Sequence, residues 1–319
     1  MAYLDEDEHR RARLRNITQS IVLVGGIGIL TAISSYTLFG RPGIIWALVL
    51  VGVFSLIGPR VAPEAIMRMF RAKPVDPKRG GEIVYIVQAL SERAGLSAMP
   101  RVYIIPSPTL NAFAVGTPSN YTLGVTEGLL GRLNYRELAG VLAHEITHVR
   151  NNDIWVMSLA DILSRFTRSM AFFAIILFFV SVPATLIAGT PMPWAAIAIL
   201  YFAPALSNLL QLALSRSREY DADLGAAALT GDPEGIASAL SKLERYQGRV
   251  WEDIFMPGPR IPLPSVLRTH PNTSERIARL MALRKSQPAP FLFPSPQGGL
   301  PGFGPLPRAP RYHWTGFWF

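Results

Sequence analysis

The chain has no cysteine, few acidic residues for its length and only five histidines. Absent cysteine excludes disulfides, thiol nucleophiles and thiolate-bound metal, and fits a domain facing a reducing compartment. Any metal bound here is held by nitrogen and oxygen. The 22 Asp and Glu are outnumbered by 31 Lys and Arg, giving a formal net charge of +9. No basic stripe with interleaved aromatics and no known motif accompanies that charge, so nucleic acid is not an expected partner. A secretory signal peptide is not expected, because Asp5-Glu6-Asp7-Glu8 precedes the first apolar run and no obvious small-residue cleavage site follows it. That first run is therefore expected to be a retained anchor.

Apolar residues are abundant, half of the chain, and they are bunched. Four segments are candidate membrane spans: Ile17 to Phe39, Ile44 to Ile57, Ala171 to Ala188 and Trp194 to Leu214. The second is short, and a buried or interfacial helix is its alternative. Pro183, Pro191 and Pro193 predict a tight turn between the third and fourth, making a hairpin. Arg10, Arg11, Arg13 and Arg15 precede the first span; Arg60, Arg68, Arg71, Lys73, Lys78 and Arg79 follow the second. Arg165 and Arg168 precede the third and Arg216 and Arg218 follow the fourth, while the short connections near Arg41 and Gly189 carry almost no charge. By the positive-inside rule both hairpins cross and return, leaving the termini in the cytoplasm. Contact with anionic lipid accounts for the basic excess. The expected placement is a multi-pass protein of a prokaryotic cytoplasmic (inner) membrane.

Against so few histidines, His144-Glu145-Ile146-Thr147-His148 stands out. A chance HExxH in a chain of this composition has a probability on the order of a few in a thousand. Residues at i and i+4 share a helical face, so both imidazoles can bind one ion while Glu145 turns towards the activated water as a general base. Residues 136–143 lead in with good helix formers and no Pro, and the helix is predicted to continue past His148 to about Asp161. Two imidazoles are not a complete catalytic zinc site; a third protein ligand is needed, with the fourth position open to water. Downstream, Arg218-Glu219-Tyr220-Asp221-Ala222-Asp223 places Glu219 and Asp223 at i and i+4. Glu219 can bind zinc while Asp223 accepts a hydrogen bond from a ligand imidazole. The alternative is an ordinary charged helix surface below a membrane span.

Upstream, Arg101 to Ile105 reads as a strand bounded by Pro100 and Pro106, and Asn111-Ala112-Phe113-Ala114-Val115-Gly116 as a second. The second is either a simple core strand or the exposed edge on which a metallopeptidase holds extended substrate by main-chain hydrogen bonds. Tyr121 to Val125 is expected to pair with it in a small sheet beside the HExxH helix.

On Asn111 to Gly116, His144 to His148 with Asn152-Asp153, Ser215 to Asp223, and Thr269-His270-Pro271 with Arg276-Ile277, the chain resembles the HtpX-type membrane-integrated zinc metallopeptidases, gluzincin relatives of the CAAX prenyl proteases. The resemblance spans most of the chain. It implies zinc held by His144, His148 and Glu219, Glu145 as base, Asp223 as support behind an imidazole, and a membrane hairpin between the two halves of the site. It implies a role in membrane-protein quality control. It also places His270 near the metal, where an imidazole can hydrogen-bond the developing oxyanion; as a lone His before a helix at Thr273 to Arg284, it is otherwise structural.

The resulting expectation is a mainly α, α+β membrane-embedded zincin. Residues 1–60 form an N-terminal tail and first hairpin, 61–168 and 215–286 the two halves of a cytoplasmic catalytic domain, and 169–214 the second hairpin. Residues 287–319, rich in Pro and Gly and ending in aromatics, form an irregular tail that lies at the membrane interface, docks on the protein or mimics substrate. The reaction is zinc-dependent endoproteolysis of protein or peptide substrates, with membrane proteins favoured and Asn111, Ala112, Phe113 and Ala114 as the substrate strand. A CAAX-type prenyl-protein peptidase is the enzymatic rival, although its chamber uses more spans. A zinc-stabilised scaffold or chaperone is the non-enzymatic rival, and the base beside the first imidazole counts against it. Nothing in the pattern sets an oligomeric state.

Overall fold

The computed structural model describes residues 6–57, 63–76, 81–253 and 273–283. His270 and the tail 287–319 lie outside the described residues. The fold is mainly helical with one small mixed sheet, as the sequence leads one to expect. The chain divides into two compact units: one contains Met1–Ala12, Val61–Ile154 and Arg218–Phe319, the other Arg13–Arg60 and Trp155–Ser217. In the middle of the chain the first unit ends at Ile154, just inside helix α6 (Asp153–Ala188).

The second unit consists of apolar helix. Helix α1 (Glu6–Ile57) is two helices broken at Gly40, whose φ of 63° and ψ of −149° are not helical. Gly43 then packs so closely on the Ser35 carbonyl that a Cβ there would overlap it. Residues eight apart on a straight helix lie about 12 Å apart, so the chain reverses sharply at Gly40. The other helices are α6 (Asp153–Ala188) and α7 (Trp194–Thr230), separated by residues 189–193 with Gly189 at φ 63°. Pro191 and Pro193 lie in this turn as predicted, whereas Pro183 sits inside α6. Among the described residues, three helical stretches are long and apolar enough to cross a membrane: Ile17–Val53, Asp153–Ala188 and Trp194–Thr230. The two N-terminal segments thus belong to one broken helical element.

Within this unit hydroxyls join the helices. Thr31 Oγ1 meets Thr167 Oγ1 at 3.1 Å between α1 and α6, and Ser164 Oγ meets Ser207 Oγ at 3.0 Å between α6 and α7. Small residues permit close contact, as at Gly26 against Leu210.

In the other unit, helix α2 (Pro63–Met69) precedes the short strand β1 (Lys73–Pro74), and α3 (Gly81–Arg93) follows. Strands β2 (Arg101–Ile105), β3 (Ala112–Thr117) and β4 (Asn120–Thr126) complete a sheet of order β1-β2-β4-β3. Strand β4 is parallel to β2 and antiparallel to β3, which leaves β3 at an edge. After the short α4 (Glu127–Leu130), helix α5 (Tyr135–Arg150) runs through the centre of the core. Its start is a capping box: Asn134 Oδ1 accepts from the Glu137 N–H at 2.9 Å and Glu137 Oε2 from the Asn134 N–H at 2.8 Å. Such a cap is worth about 1 kcal/mol. Leu138, Leu142 and Ile146 are fully buried on α5, which packs against α3, β3 and α8 (Pro233–Asp253). Helix α9 (Thr273–Ala282) packs on α8 and buries Leu280.

Candidate metal centre

Helix α5 turns His144 and His148 to one side with their Nε2 atoms 3.1 Å apart and their rings nearly perpendicular. From α7, Glu219 brings Oε2 to 3.4 Å from His144 Nε2 and Oε1 to 3.7 Å from His148 Nε2. All three side chains are buried, and one donor atom from each lies within 4.8 Å of the others, a group that can hold a metal ion. Glu145, the residue between the imidazoles, is only partly buried.

The far nitrogen of each imidazole faces a carboxylate. His148 Nδ1 is 2.8 Å from Asp153 Oδ2, and His144 Nδ1 is 3.1 Å from Asp223 Oδ1, the latter off the line of a well-directed hydrogen bond. Carboxylates in these positions fix the tautomer that leaves Nε2 as a metal donor. Asp223 was legible from its spacing; Asp153 was not, because the helix was expected to run on to Asp161. In fact α5 ends at Arg150, capped by Asn151, and Asn152 takes φ 57° before α6 starts at Asp153. Asn tolerates this left-handed conformation better than most residues, and the break carries Asp153 back to His148. The pair Asn151-Asn152 after the second His was the available signal.

Two buried arginines neutralise part of this charge; the residue patterns alone gave Arg276 no role and read Arg218 only as a cation flanking a membrane span, whereas it is buried here. Arg276 on α9 sends Nε and Nη2 to the two oxygens of Asp223 at 2.7 and 2.6 Å, and Nη1 to Glu219 at 2.9 Å. Arg218 donates from Nη1 to Asp153 at 3.0 Å. Charge-assisted forks of this kind hold planar carboxylates in one orientation. Close packing helps: Gly225 sits against Thr147, the residue before His148, with no room for a Cβ.

Burial opposes a charge on His144, but Asp223 and Glu219 outweigh it and push its pKa up to about 10. His148 is likewise buried, and although burial opposes its charge, the Asp153 hydrogen bond together with the charges of Asp153 and Glu219 raises its pKa. Three buried carboxylates thus face two guanidiniums, and the cluster retains an affinity for further positive charge. Its donors, two nitrogens and a carboxylate, suit a hydrolytic metal of the HExxH class.

The strand expected to hold substrate is β3, with Asn111 just ahead of it. Ala112 and Phe113 are buried and Ala114 is half-buried. The Thr126 N–H donates to the Asn111 carbonyl at 3.0 Å, and the register pairs Phe113 with Gly124. By the alternation of antiparallel ladders, Phe113 and Val115 direct their main-chain groups to β4, while Ala112 and Ala114 direct theirs to the edge with no strand beside it among the described residues.

An apolar helical unit long enough to cross a membrane, joined to a small sheet and a buried HExxH helix, defines a membrane metallopeptidase. The profile of peptidase family M48 matches residues 77–284. The Protease HtpX homolog of Desulfatibacillum aliphaticivorans is 36% identical over 290 residues, covering 84% of this chain and 90% of its own. That of Campylobacter concisus is 38% identical over 267 residues, covering 77% and 89%. The crystal structure of S. mikatae Ste24p matches with a TM-score of 0.49 and 21% identity, over 85% of this chain and 66% of that one, just under two thirds. The chain belongs to peptidase family M48, and it is a metalloprotease acting on protein substrates.

Proposed function

We propose that the chain is a zinc-dependent endopeptidase that cleaves misfolded or membrane-associated proteins at a cytoplasmic-facing site. The observation that carries this reading is the convergence of His144, His148 and Glu219 donor atoms within 4.8 Å, with a carboxylate behind each imidazole. These three residues are the zinc ligands in this reading. Bound zinc supplies Lewis acidity to the attacking water and the scissile carbonyl. Glu145 takes the proton from that water and delivers it to the leaving amine. Asp223 and Asp153 hold the imidazoles, and Arg276 holds Glu219 and Asp223. An extended substrate pairs with the outward main-chain groups of Ala112 and Ala114, flanked by Asn111 and Phe113. The His270 imidazole, by family resemblance, donates to the oxyanion.

The basic residues bordering the apolar helices support a multi-pass arrangement in a cytoplasmic membrane with both termini inside. A reporter inserted at Thr190 is expected to read as external; a cytoplasmic reading there overturns that topology.

The test of the activity is made on the full chain in detergent, with bound metal measured alongside cleavage of an unfolded membrane protein and of a prenylated peptide. Glu145→Gln is expected to keep its zinc and lose about 10²- to 10⁴-fold in rate, while Glu219→Ala loses the metal itself. Cleavage by the Glu145 variant at the parental rate, or unchanged zinc affinity in the Glu219 variant, overturns the assignment. Preference for the prenylated peptide overturns the substrate class.

A further inference from the structure

In the peptidase unit, against the hydrophobic core that includes Leu110, a hollow of about 320 Å³ is lined by Leu110, Arg132, Lys242, Arg245 and Tyr246. Lys242, Arg245 and Tyr246 stand at i, i+3 and i+4 on α8, a spacing that puts all three on one helix face. The Tyr246 hydroxyl donates to the Pro108 carbonyl at 3.1 Å, tying this face to the segment that leads into β3. Across the hollow, the Arg132 guanidinium lies 4.5 Å from the centre of the Tyr246 ring, which holds that cation in place.

The charge here is unbalanced. Lys242 Nζ reaches Glu137 Oε2 at 2.7 Å, while Glu137 Oε1 accepts from Ser238 at 2.6 Å, so this carboxylate is fully engaged. Arg132 and Arg245 are exposed, and among the described residues neither forms an ion pair. Two guanidiniums and a shared ammonium around an aromatic wall make a receptor for a planar anion, since the guanidinium fork matches the two oxygens of a carboxylate. A hollow of this size takes one or two residues.

Its position says where that anion comes from. Leu110 lies two residues ahead of Ala112, at the start of the edge strand. A peptide added antiparallel to β3, the more stable pairing, runs its C-terminal end past Asn111 towards Leu110. Two more residues of extended chain cover about 7 Å. We propose that the hollow is a subsite for a carboxylate near the C-terminal end of the docked peptide, either an Asp or Glu side chain or the free C-terminus. This rests on the reading that substrate pairs with β3, and it adds a chemical preference to it: acidic or C-terminal segments of the client are favoured.

The experiment uses full-length protein in detergent and fluorescent peptides of one sequence, with Glu or Gln near the C-terminal end and with a free or amidated C-terminus. Binding is read by anisotropy on the Glu145→Gln protein and cleavage on the parent. The Glu peptide, the free-acid peptide or both are expected to bind about tenfold tighter than the neutral peptide. The advantage shrinks with salt, disappears in Arg132→Gln/Arg245→Gln and is reduced but not lost in Arg132→Lys/Arg245→Lys, which keep the charge without the fork. Whichever peptide shows the advantage identifies side chain or terminus as the source. Equal affinity of charged and neutral peptides, an advantage that persists in the double Gln variant, or no measurable binding overturns the subsite. Charge-dependent binding without cleavage by the parent leaves the subsite standing and overturns the endopeptidase reading instead.

Discussion

The two units of the chain bury polar groups of different kinds. Among the described residues, the buried polar side chains of the apolar unit are all hydroxyls: Ser20, Thr31, Ser34, Ser35, Ser164, Thr167, Ser207, Ser215 and Ser217. The peptidase unit buries the hydroxyls of Ser91, Thr122, Thr126, Thr147 and Thr230 and, in addition, the ionisable Glu137, His144, His148, Asp153, Arg218, Glu219, Asp221, Asp223, Asp232 and Arg276. A hydroxyl on a helix bonds to the carbonyl four residues back, as Thr31 does to Ile27 and Thr167 to Leu163, each at 2.9 Å. It needs no partner from elsewhere, so it can sit in an apolar bundle at small cost. A buried ion has no such local remedy and persists only within a complete network. Buried charge is therefore confined to a few connected groups, and the largest of them surrounds the candidate metal centre.

This contrast is testable by removing one member on each side. Arg276→Met leaves Asp223 and Glu219 without their fork, and the metal-free protein is expected to lose about 3–5 kcal/mol. Added zinc should recover part of that loss in thermal unfolding, since a dication replaces the missing cation. A melting temperature equal to that of the parent in chelator would show that the carboxylates are compensated elsewhere. A smaller effect is expected for Asp153→Asn, which weakens the hold on His148 and removes one anion facing Arg218; zinc affinity should fall about 10- to 100-fold. Unchanged affinity in a competition titration would reduce Asp153 to a structural contact. Smallest of all, Thr31→Val deletes the bond to Thr167 while Thr167 keeps the Leu163 carbonyl, and about 0.6 kcal/mol is expected. A loss as large as that of Arg276→Met would erase the distinction between the two units.

The same distinction explains what the sequence made legible. His144, Glu145 and His148 share one turn of helix, and Glu219 with Asp223 another, so periodicity alone groups them. The strand Arg101–Ile105 is marked by its flanking prolines, and Asn111–Gly116 reads as a second strand, which the structure places at Ala112–Thr117 on the edge of the sheet beside β4. Arg276 had no such signal: it reaches Asp223 from α9, 53 residues away, and a lone Arg on a short helix resembles any surface cation. Asp153 was hidden by helix propensity, which favoured running through Asn151 and Asn152, whereas the chain breaks there. Parity along β3 was likewise set only by the Thr126 to Asn111 hydrogen bond.

The order of these residues along the chain also bears on synthesis. The ribosome releases His144, Glu145 and His148 first, then the whole apolar stretch Trp155–Ser217, and only afterwards Glu219, Asp223 and finally Arg276. At ordinary translation speeds the imidazoles wait on the order of ten seconds for Glu219 and Asp223. A nascent chain stalled in the apolar hairpin therefore carries the signature pentapeptide but neither Glu219 nor Asp223, and the candidate metal centre is complete only once the apolar hairpin has already been made.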